Sequence, residues 1–253
     1  MRPTIIAGNW KLHCTLDEAE TLARGVLAAA ETASHREVLL CPPFTALERV
    51  GRVVGAGPNN LRLGGQDLYW EERGAYTGEI SAGLLADCGC SHVLIGHSER
   101  RHVFGEQDDE SGRKVAAAVH GDLVPVLCVG EKLEERRAGE TRRVVERQLA
   151  SGLAHWQADG AAPVVIAYEP VWAIGTGETA TTEQAQETHA TIRAWLSGRF
   201  GNAVGAATPI LYGGSVKDTN AAELLAGPDI DGVLVGGASL DPAVFSRIIV
   251  AGL

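Results

Sequence analysis

Eight short apolar runs alternate with helical patterns along this chain, and that count constrains the fold more than any other feature. The runs are Ile5–Ala7, Val38–Cys41, Leu61–Leu63, Val93–Ile95, Leu123–Val129, Val164–Tyr168, Ile210–Tyr212 and Val233–Val235. Each is too short for a helix, rich in Val, Ile and Leu, and almost free of charge, as parallel strands covered on both faces are. Amphipathic stretches fill the intervals at 16–31, 44–54, 81–88, 110–120, 141–156 and 182–200, with a shorter one near 217–226. Thr181 and Gln184 stand at capping-box spacing before Ala185, Thr188, Ile192, Trp195 and Leu196, which follow a helical period. Asp241-Pro242 opens the last helix with a capping side chain and a proline at the first helical position. Eight strand–helix units without a composition break predict one α/β domain over residues 1–253, a closed (β/α)8 barrel of eight parallel strands. A doubly wound open sheet would show the same alternation. In either case ligands bind at the carboxyl ends of the strands.

Charge and cysteine usage exclude several functions. The 253 residues carry 22 basic and 32 acidic groups, a net charge of −10, and no basic patch of the kind a nucleic-acid binder presents. Arg136, Arg137, Arg142, Arg143 and Arg147 cluster, but Glu134, Glu135, Glu140 and Glu146 interleave them, which reads as a solvated helix face. No run approaches the roughly 18 apolar residues of a membrane span, and no apolar leader opens the chain. The five cysteines, at 14, 41, 88, 90 and 128, form no C-x-x-C. Cys88-Gly-Cys90 lacks zinc-ligand spacing, so neither a metal site nor a disulfide framework is expected. A soluble, cytoplasmic protein with reduced thiols follows as the expectation.

The strand ends carry the chemistry. The first closes on Gly8-Asn9-Trp10-Lys11, an amide and a cation able to meet an anion, although a surface Lys beside a turn Asn would look the same. The fourth closes on Gly96-His97-Ser98-Glu99-Arg100-Arg101, the start of a short helix with Ser98 as a candidate cap. Helix N–H groups there bias His97 toward the neutral ring. The sixth closes on Tyr168-Glu169-Pro170-Val171-Trp172-Ala173-Ile174-Gly175-Thr176-Gly177. A carboxylate among Pro, Trp and Ile would be desolvated and its pKa raised, as suits a general base. The apolar stretch after it, with glycines beside it, reads as a lid that moves and excludes water. Gly175-Thr-Gly177-Glu-Thr-Ala180 also fits a relaxed dinucleotide fingerprint, but no acid near 197–200 could hold a ribose, and that reading is rejected. Gly213-Gly214-Ser215 and Gly236-Gly237 end the last two strands, the usual place of a phosphate site in such barrels.

These motifs, in this order and over essentially the whole chain, resemble the triosephosphate isomerase family. The resemblance implies a TIM barrel that interconverts dihydroxyacetone phosphate and D-glyceraldehyde 3-phosphate in glycolysis and gluconeogenesis, without a cofactor or metal. It implies Glu169 as the base moving a proton between C1 and C2, His97 as a neutral electrophile, Lys11 as a charge partner and Asn9 as a hydrogen-bond partner of a substrate oxygen. Phosphate would sit on Gly175, Ser215, Gly236 and Gly237, as well as near Asn9 and Lys11. Pro170, Val171, Trp172, Ile174 and Leu234 would form the lid and clamp, and Ser98, Glu99 and Tyr212 would support the site. The loop Asp67–Glu79 resembles the family's interface loop, which implies a homodimer with Thr77 entering the partner's site near Asn9 and Glu99. Leu12-His13-Cys14, the run Gly64-Gly65-Gln66-Asp67, where Ala and Asn are common, and the lid's far end Glu178-Thr179-Ala180 depart from the residues usual in that family. Cys128 resembles a structural cysteine of the family. Competing readings are a barrel enzyme for a larger sugar phosphate, an aldolase using Lys11, and a binding protein without chemistry.

Overall fold

In the computed structural model, which describes residues 2–157, 163–173 and 180–253, eight parallel strands close into a barrel in sequence order. They are β1 (Thr4–Asn9), β2 (Arg36–Cys41), β3 (Leu61–Gly65), β4 (His92–Ile95), β5 (Val124–Val129), β6 (Val165–Tyr168), β7 (Ile210–Tyr212) and β8 (Gly232–Val235). Closure is made by β8 against β1, where Ala7 is opposite Leu234 and Gly8 opposite Val235. The closed barrel is therefore the correct reading of the alternation, and the open sheet is not.

Both faces of each strand are buried, and the period of two sorts them. Ile5, Ala7, Leu39, Cys41, Leu94, Val126, Cys128, Val165, Ala167, Leu211 and Leu234 fill the barrel interior. Their neighbours Ile6, Val38, Leu40, Val93, Ile95, Leu127, Ile166, Ile210 and Val233 pack outward under the helices. Extending the inward period one step past the last filled layer gives Asn9, Gly130, Glu169, Gly213 and Gly236. Two functional side chains and three glycines thus share the mouth of the barrel. Two of these glycines are a packing requirement. A Cβ at Gly130 would run into the Glu169 carbonyl, and one at Gly213 would come 2.9 Å from Glu169 Cγ.

The helices follow the sequence pattern with informative exceptions. Thr181 and Gln184 make the capping box, with Gln184 N–H donating to Thr181 Oγ1 at 3.2 Å and Thr181 N–H donating to Gln184 Oε1 at 3.1 Å. Asp241 Oδ1 accepts from Ala243 and Val244 N–H at 2.8 and 3.1 Å, and caps Pro242–Ile249. The stretch expected as one helix over 16–31 is instead two, Leu16–Gly25 and Leu27–Thr32. Gly25 lies at the junction, where a Cβ would stand 2.6 Å from Pro242, so the last helix packs closely against the break. The helix expected to reach 156 ends at Gly152. Three short helices, Ser98–His102, Leu133–Arg137 and Asn202–Ala207, complete the outer layer.

The arginine cluster does form a solvated face. Arg142 pairs with Glu146 at 2.7 Å, Arg143 with Glu140, and Arg147 with Asp108 at 2.9 Å. Arg136 is the exception, half-buried with its guanidinium 5.6 Å from the Trp172 ring centre. All five cysteines are free thiols. Among the described residues, no three His, Cys, Asp or Glu side chains gather as a metal site would need. No helix among them is long and apolar enough to cross a membrane.

Candidate active site

At the carboxyl ends of the strands lies a cleft of about 310 Å³. Asn9, Lys11, His97, Glu169, Gly213, Gly214, Ser215, Leu234, Gly236 and Gly237 line it, together with Val216, Lys217 and Ala238. The barrel thus gathers at one mouth the candidates that the sequence spreads over strands 1, 4, 6, 7 and 8.

Glu169 is 2% exposed and both its oxygens are engaged. Oε1 lies 2.9 Å from His97 Nε2, and Oε2 accepts the Ser98 N–H at 3.0 Å. Burial alone would raise its pKa, the effect read from the sequence. The opposite holds. Desolvation pushes up, but His97, the Ser98 N–H and Lys11 together pull the pKa below the ordinary carboxylate value. A carboxylate loses proton affinity when its charge is met by hydrogen bonds and cations within a few ångströms.

Ser98 is not the cap it was expected to be. His97 is the N-cap of Ser98–His102, and its Nδ1 accepts the Glu99 N–H at 3.3 Å. A ring nitrogen that accepts has a lone pair, so Nε2 is the one that carries hydrogen toward Glu169. The helix N-terminus therefore selects this tautomer. Burial pushes the His97 pKa down, but the Glu169 carboxylate at hydrogen-bond distance draws it above the usual value while the two are in contact.

Lys11 occupies left-handed backbone space, with φ of 51°, a conformation that costs a non-glycine residue roughly 1–3 kcal/mol. Two contacts hold it. The Asn9 Oδ1 accepts the Lys11 N–H at 3.0 Å, and the Gln66 amide donates to the Lys11 carbonyl and to the Cys41 carbonyl, each at 2.9 Å. Lys11 Nζ then reaches Glu99 Oε1 at 2.6 Å. Gln66 escaped notice in the sequence as a site residue, because only closure of the barrel brings β3 beside the turn after β1.

Gly236 and Gly237, which also line the cleft, have room beside their backbone. A Cβ on Gly237 would meet nothing within 4 Å, and one on Gly236 only Lys11 Cε at 3.5 Å. Gly214 answers to a different need, since a Cβ there would press on the Tyr212 phenol ring, 2.5 Å from Cζ. Tyr212 is fully buried, and its hydroxyl has no hydrogen-bond partner among the described residues.

Pro170 is buried, and Val171–Ala173 form a single tight turn. Glu131, 0% exposed, holds this turn to the barrel. Its carboxylate accepts from Trp172 Nε1 at 3.0 Å, from Tyr168 Oη at 3.1 Å and from Thr141 Oγ1 at 3.3 Å, and its carbonyl accepts the Val171 N–H at 3.1 Å. The sequence signal for it was weak, a lone acid after Gly130. Ile174 and Gly175 lie outside the described residues. Thr77 is exposed in the loop after β3, apart from the cleft. Cys128 is fully buried in the barrel interior, and burial holds its thiol pKa well above the ordinary value, so no thiolate is available at neutral pH.

Known proteins can be set beside this geometry. The family model described as triosephosphate isomerase matches residues 4–252. A triosephosphate isomerase of Moorella thermoacetica is 52% identical over 249 residues, covering 98% of each chain. One of Chloroflexus aurantiacus is 52% identical over 249 residues, covering 98% of this chain and 99% of its own. One of Nitratidesulfovibrio vulgaris is 50% identical over 250 residues, again covering 98% and 99%. With the barrel closed, the strand-end motifs gathered in one cleft and this match over nearly every residue, the chain belongs to the triosephosphate isomerase family.

Proposed function

We propose that this chain interconverts dihydroxyacetone phosphate and D-glyceraldehyde 3-phosphate by moving one proton between adjacent carbons through an enediolate. The observation that carries this reading is the pair Glu169 and His97, in contact at 2.9 Å in a cleft that also offers open backbone at Gly236 and Gly237. A base, an electrophile and a phosphate anchor are what the reaction needs, and a three-carbon phosphate spans such a cleft.

Phosphate binds on N–H groups of Gly175, Ser215, Gly236 and Gly237, with Asn9 and Lys11 nearby. Backbone donors carry this load without adding charge, and each charge-assisted bond is worth about twice a neutral one. Glu169 leaves the Ser98 N–H and His97 and turns to the substrate. There it loses the partners that hold its pKa down, while the lid keeps it dry, so its basicity rises when it is needed. It takes the proton from one carbon and returns it to the neighbour. His97, through Nε2, then donates to the substrate oxygens rather than to Glu169. Its Nδ1 stays on the Glu99 N–H, which keeps the ring neutral. A Glu base beside a neutral His is a pairing for which this family is itself the standard worked case. Lys11 offsets the negative charge developing on the enediolate, and Asn9 hydrogen-bonds a substrate oxygen. Ser98 and Glu99 hold the resting site in order.

Pro170, Val171, Trp172 and Ile174 form the lid, and Leu234 clamps Glu169 from β8. Closure keeps water out, because an exposed enediolate expels its phosphate. The buried Tyr212 hydroxyl, without a partner among the described residues, is the group that receives the closed lid.

The chain works as one domain over residues 1–253 and as a cytoplasmic homodimer, with Thr77 completing the partner's site near Asn9 and Glu99. Exposed apolar side chains support this assembly. Leu12, next to Lys11, is 94% exposed, and Val103 and Phe104, next to the helix that carries Glu99, are each 72% exposed. Apolar groups grouped around a site in this way mark a surface that is covered.

A coupled assay of glyceraldehyde 3-phosphate conversion, run beside Glu169→Gln, tests the reading. Turnover in the wild type and a fall of about 10²–10⁴-fold in the variant are expected for loss of a general base. An inactive wild type that still bound 2-phosphoglycolate would sink the chemistry and leave the phosphate site.

A further inference from the structure

Three basic side chains line the cleft: Lys11, His97 and Lys217. Two of them are engaged where they stand, Lys11 paired with Glu99 at 2.6 Å and His97 hydrogen-bonded to Glu169 at 2.9 Å. Lys217 is different. It is exposed, and its ammonium group has no carboxylate or carbonyl partner among the described residues. The neighbouring acid does not cancel it, because Asp218 is drawn away to Arg247 at 2.6 Å.

The backbone under Lys217 is fixed. Its N–H donates to Asn220 Oδ1 at 2.8 Å, and the Asn220 amide donates back to the Ser215 carbonyl at 3.1 Å. Its own carbonyl accepts the Ala221 N–H at 3.0 Å. A hydrogen-bonded turn two residues past Ser215 therefore holds, on the cleft wall, an exposed cation without a counter-charge among the described residues.

The surroundings make such a charge useful. The chain carries −10 overall, and a phosphate monoester arrives with a charge of about −1.5 to −2 at neutral pH. A protein of the same sign repels that ligand at long range and leaves a single local cation as the attractive feature of the approach.

We propose that Lys217 is a recruiting residue for the phosphate end of the substrate, one that captures the dianion electrostatically before the backbone donors take it. This rests on the reading of the cleft as an isomerase site. Lys217 acts on encounter rather than on the reacting carbons, so its contribution appears in kcat/KM and is screened by salt. The Debye length shrinks from about 30 Å at about 0.01 M ionic strength to about 8 Å at about 0.15 M.

The test compares wild type, Lys217→Gln and Lys217→Arg in the coupled assay at those two ionic strengths. Calorimetric binding of inorganic phosphate accompanies each. For Lys217→Gln a fall in kcat/KM of about threefold to tenfold is expected at low salt, with kcat kept within about twofold. The gap should close at the higher salt, phosphate binding should weaken in parallel, and Lys217→Arg should recover most of the loss. Equal kcat/KM, salt slope and phosphate affinity in wild type and Lys217→Gln would overturn the proposal, as would a loss that falls in kcat. A wild type without turnover would instead overturn the isomerase reading, and phosphate affinity alone would then decide whether Lys217 recruits anions.

Discussion

Single residues at the mouth of the barrel do two things at once, and the glycines show it best. Gly130 and Gly213 are empty because Glu169 occupies the space their side chains would need. Gly130→Ala must therefore push the Glu169 backbone away. Overpacking of this kind costs typically about 1–3 kcal/mol, and displacement of a catalytic group by about 1 Å can cost about 10²-fold in rate. Thermal unfolding and kcat measured on this variant should both show the damage; a fully active Gly130→Ala would contradict the packing argument. Gly237→Ala, which meets nothing in the protein, should fold normally and lose phosphate affinity alone. That Glu169, His97 and Lys11 would meet at the barrel mouth was legible from their strand-end positions. Their electrostatics were not. The sequence gives Glu169 apolar neighbours and so a raised pKa, whereas the contacts that lower it, His97 and the Ser98 N–H, come from the helix start after β4, Ser98 being 71 positions away.

At the scale of elements, the eight strands, the capping box at Thr181 and the cap at Asp241 were readable because each depends on residues within a few positions of one another. Helix breaks and short helices were not. Gly25 has no room for a side chain because Pro242 packs on it, and Glu131 matters because Tyr168, Trp172 and Thr141 converge on it. None of these contacts has a local signature. Replacing Glu131 with Leu removes the acceptor that the Tyr168 hydroxyl, the Trp172 indole and the Thr141 hydroxyl share, each lost hydrogen bond costing about 0.5–1.5 kcal/mol. That variant should lose stability in denaturant titration and hold the Val171–Ala173 turn poorly. An unchanged midpoint would show that Glu131 carries no such load.

The helix Thr182–Phe200 also has a buried titratable group, His189, which stands edge-on to Tyr168 of β6. Its Nδ1 lies 3.1 Å from the Asp229 carbonyl, so this nitrogen carries the hydrogen, and burial lowers the pKa from 6.5 to about 4. The unfolded chain thus binds more protons between those values, and stability present above pH 6.5 drains away as pH falls toward about 4. The shift corresponds to about 3 kcal/mol. Thermal unfolding across that window should show the slope in wild type and a shallower one in His189→Gln; identical slopes would assign the acid sensitivity elsewhere.

The whole molecule is a barrel whose interior, mouth and outer rim follow from one alternation, which is why the fold could be read from sequence while its assembly could not. Leu12, Tyr76, Val103 and Phe104 are apolar and exposed, yet nothing in their local sequence says which surface covers them. If a second copy does, Thr77→Arg should shift sedimentation from dimer to monomer. Activity should fall with it by about 10²-fold, the effect of a misplaced catalytic group. A fully active monomer at nanomolar protein would end the homodimer reading.

The claim on which everything else depends is that Glu169 carries one proton between adjacent carbons. Running the conversion of glyceraldehyde 3-phosphate in deuterium oxide, and reading the product by proton NMR, tests it most directly. A carboxylic acid formed at Glu169 exchanges with solvent, so deuterium should enter at C1 of dihydroxyacetone phosphate, and Glu169→Gln should abolish both turnover and label. Rapid turnover in the wild type with no deuterium at that carbon would mean the hydrogen moves without visiting an exchangeable base, and the account would be wrong.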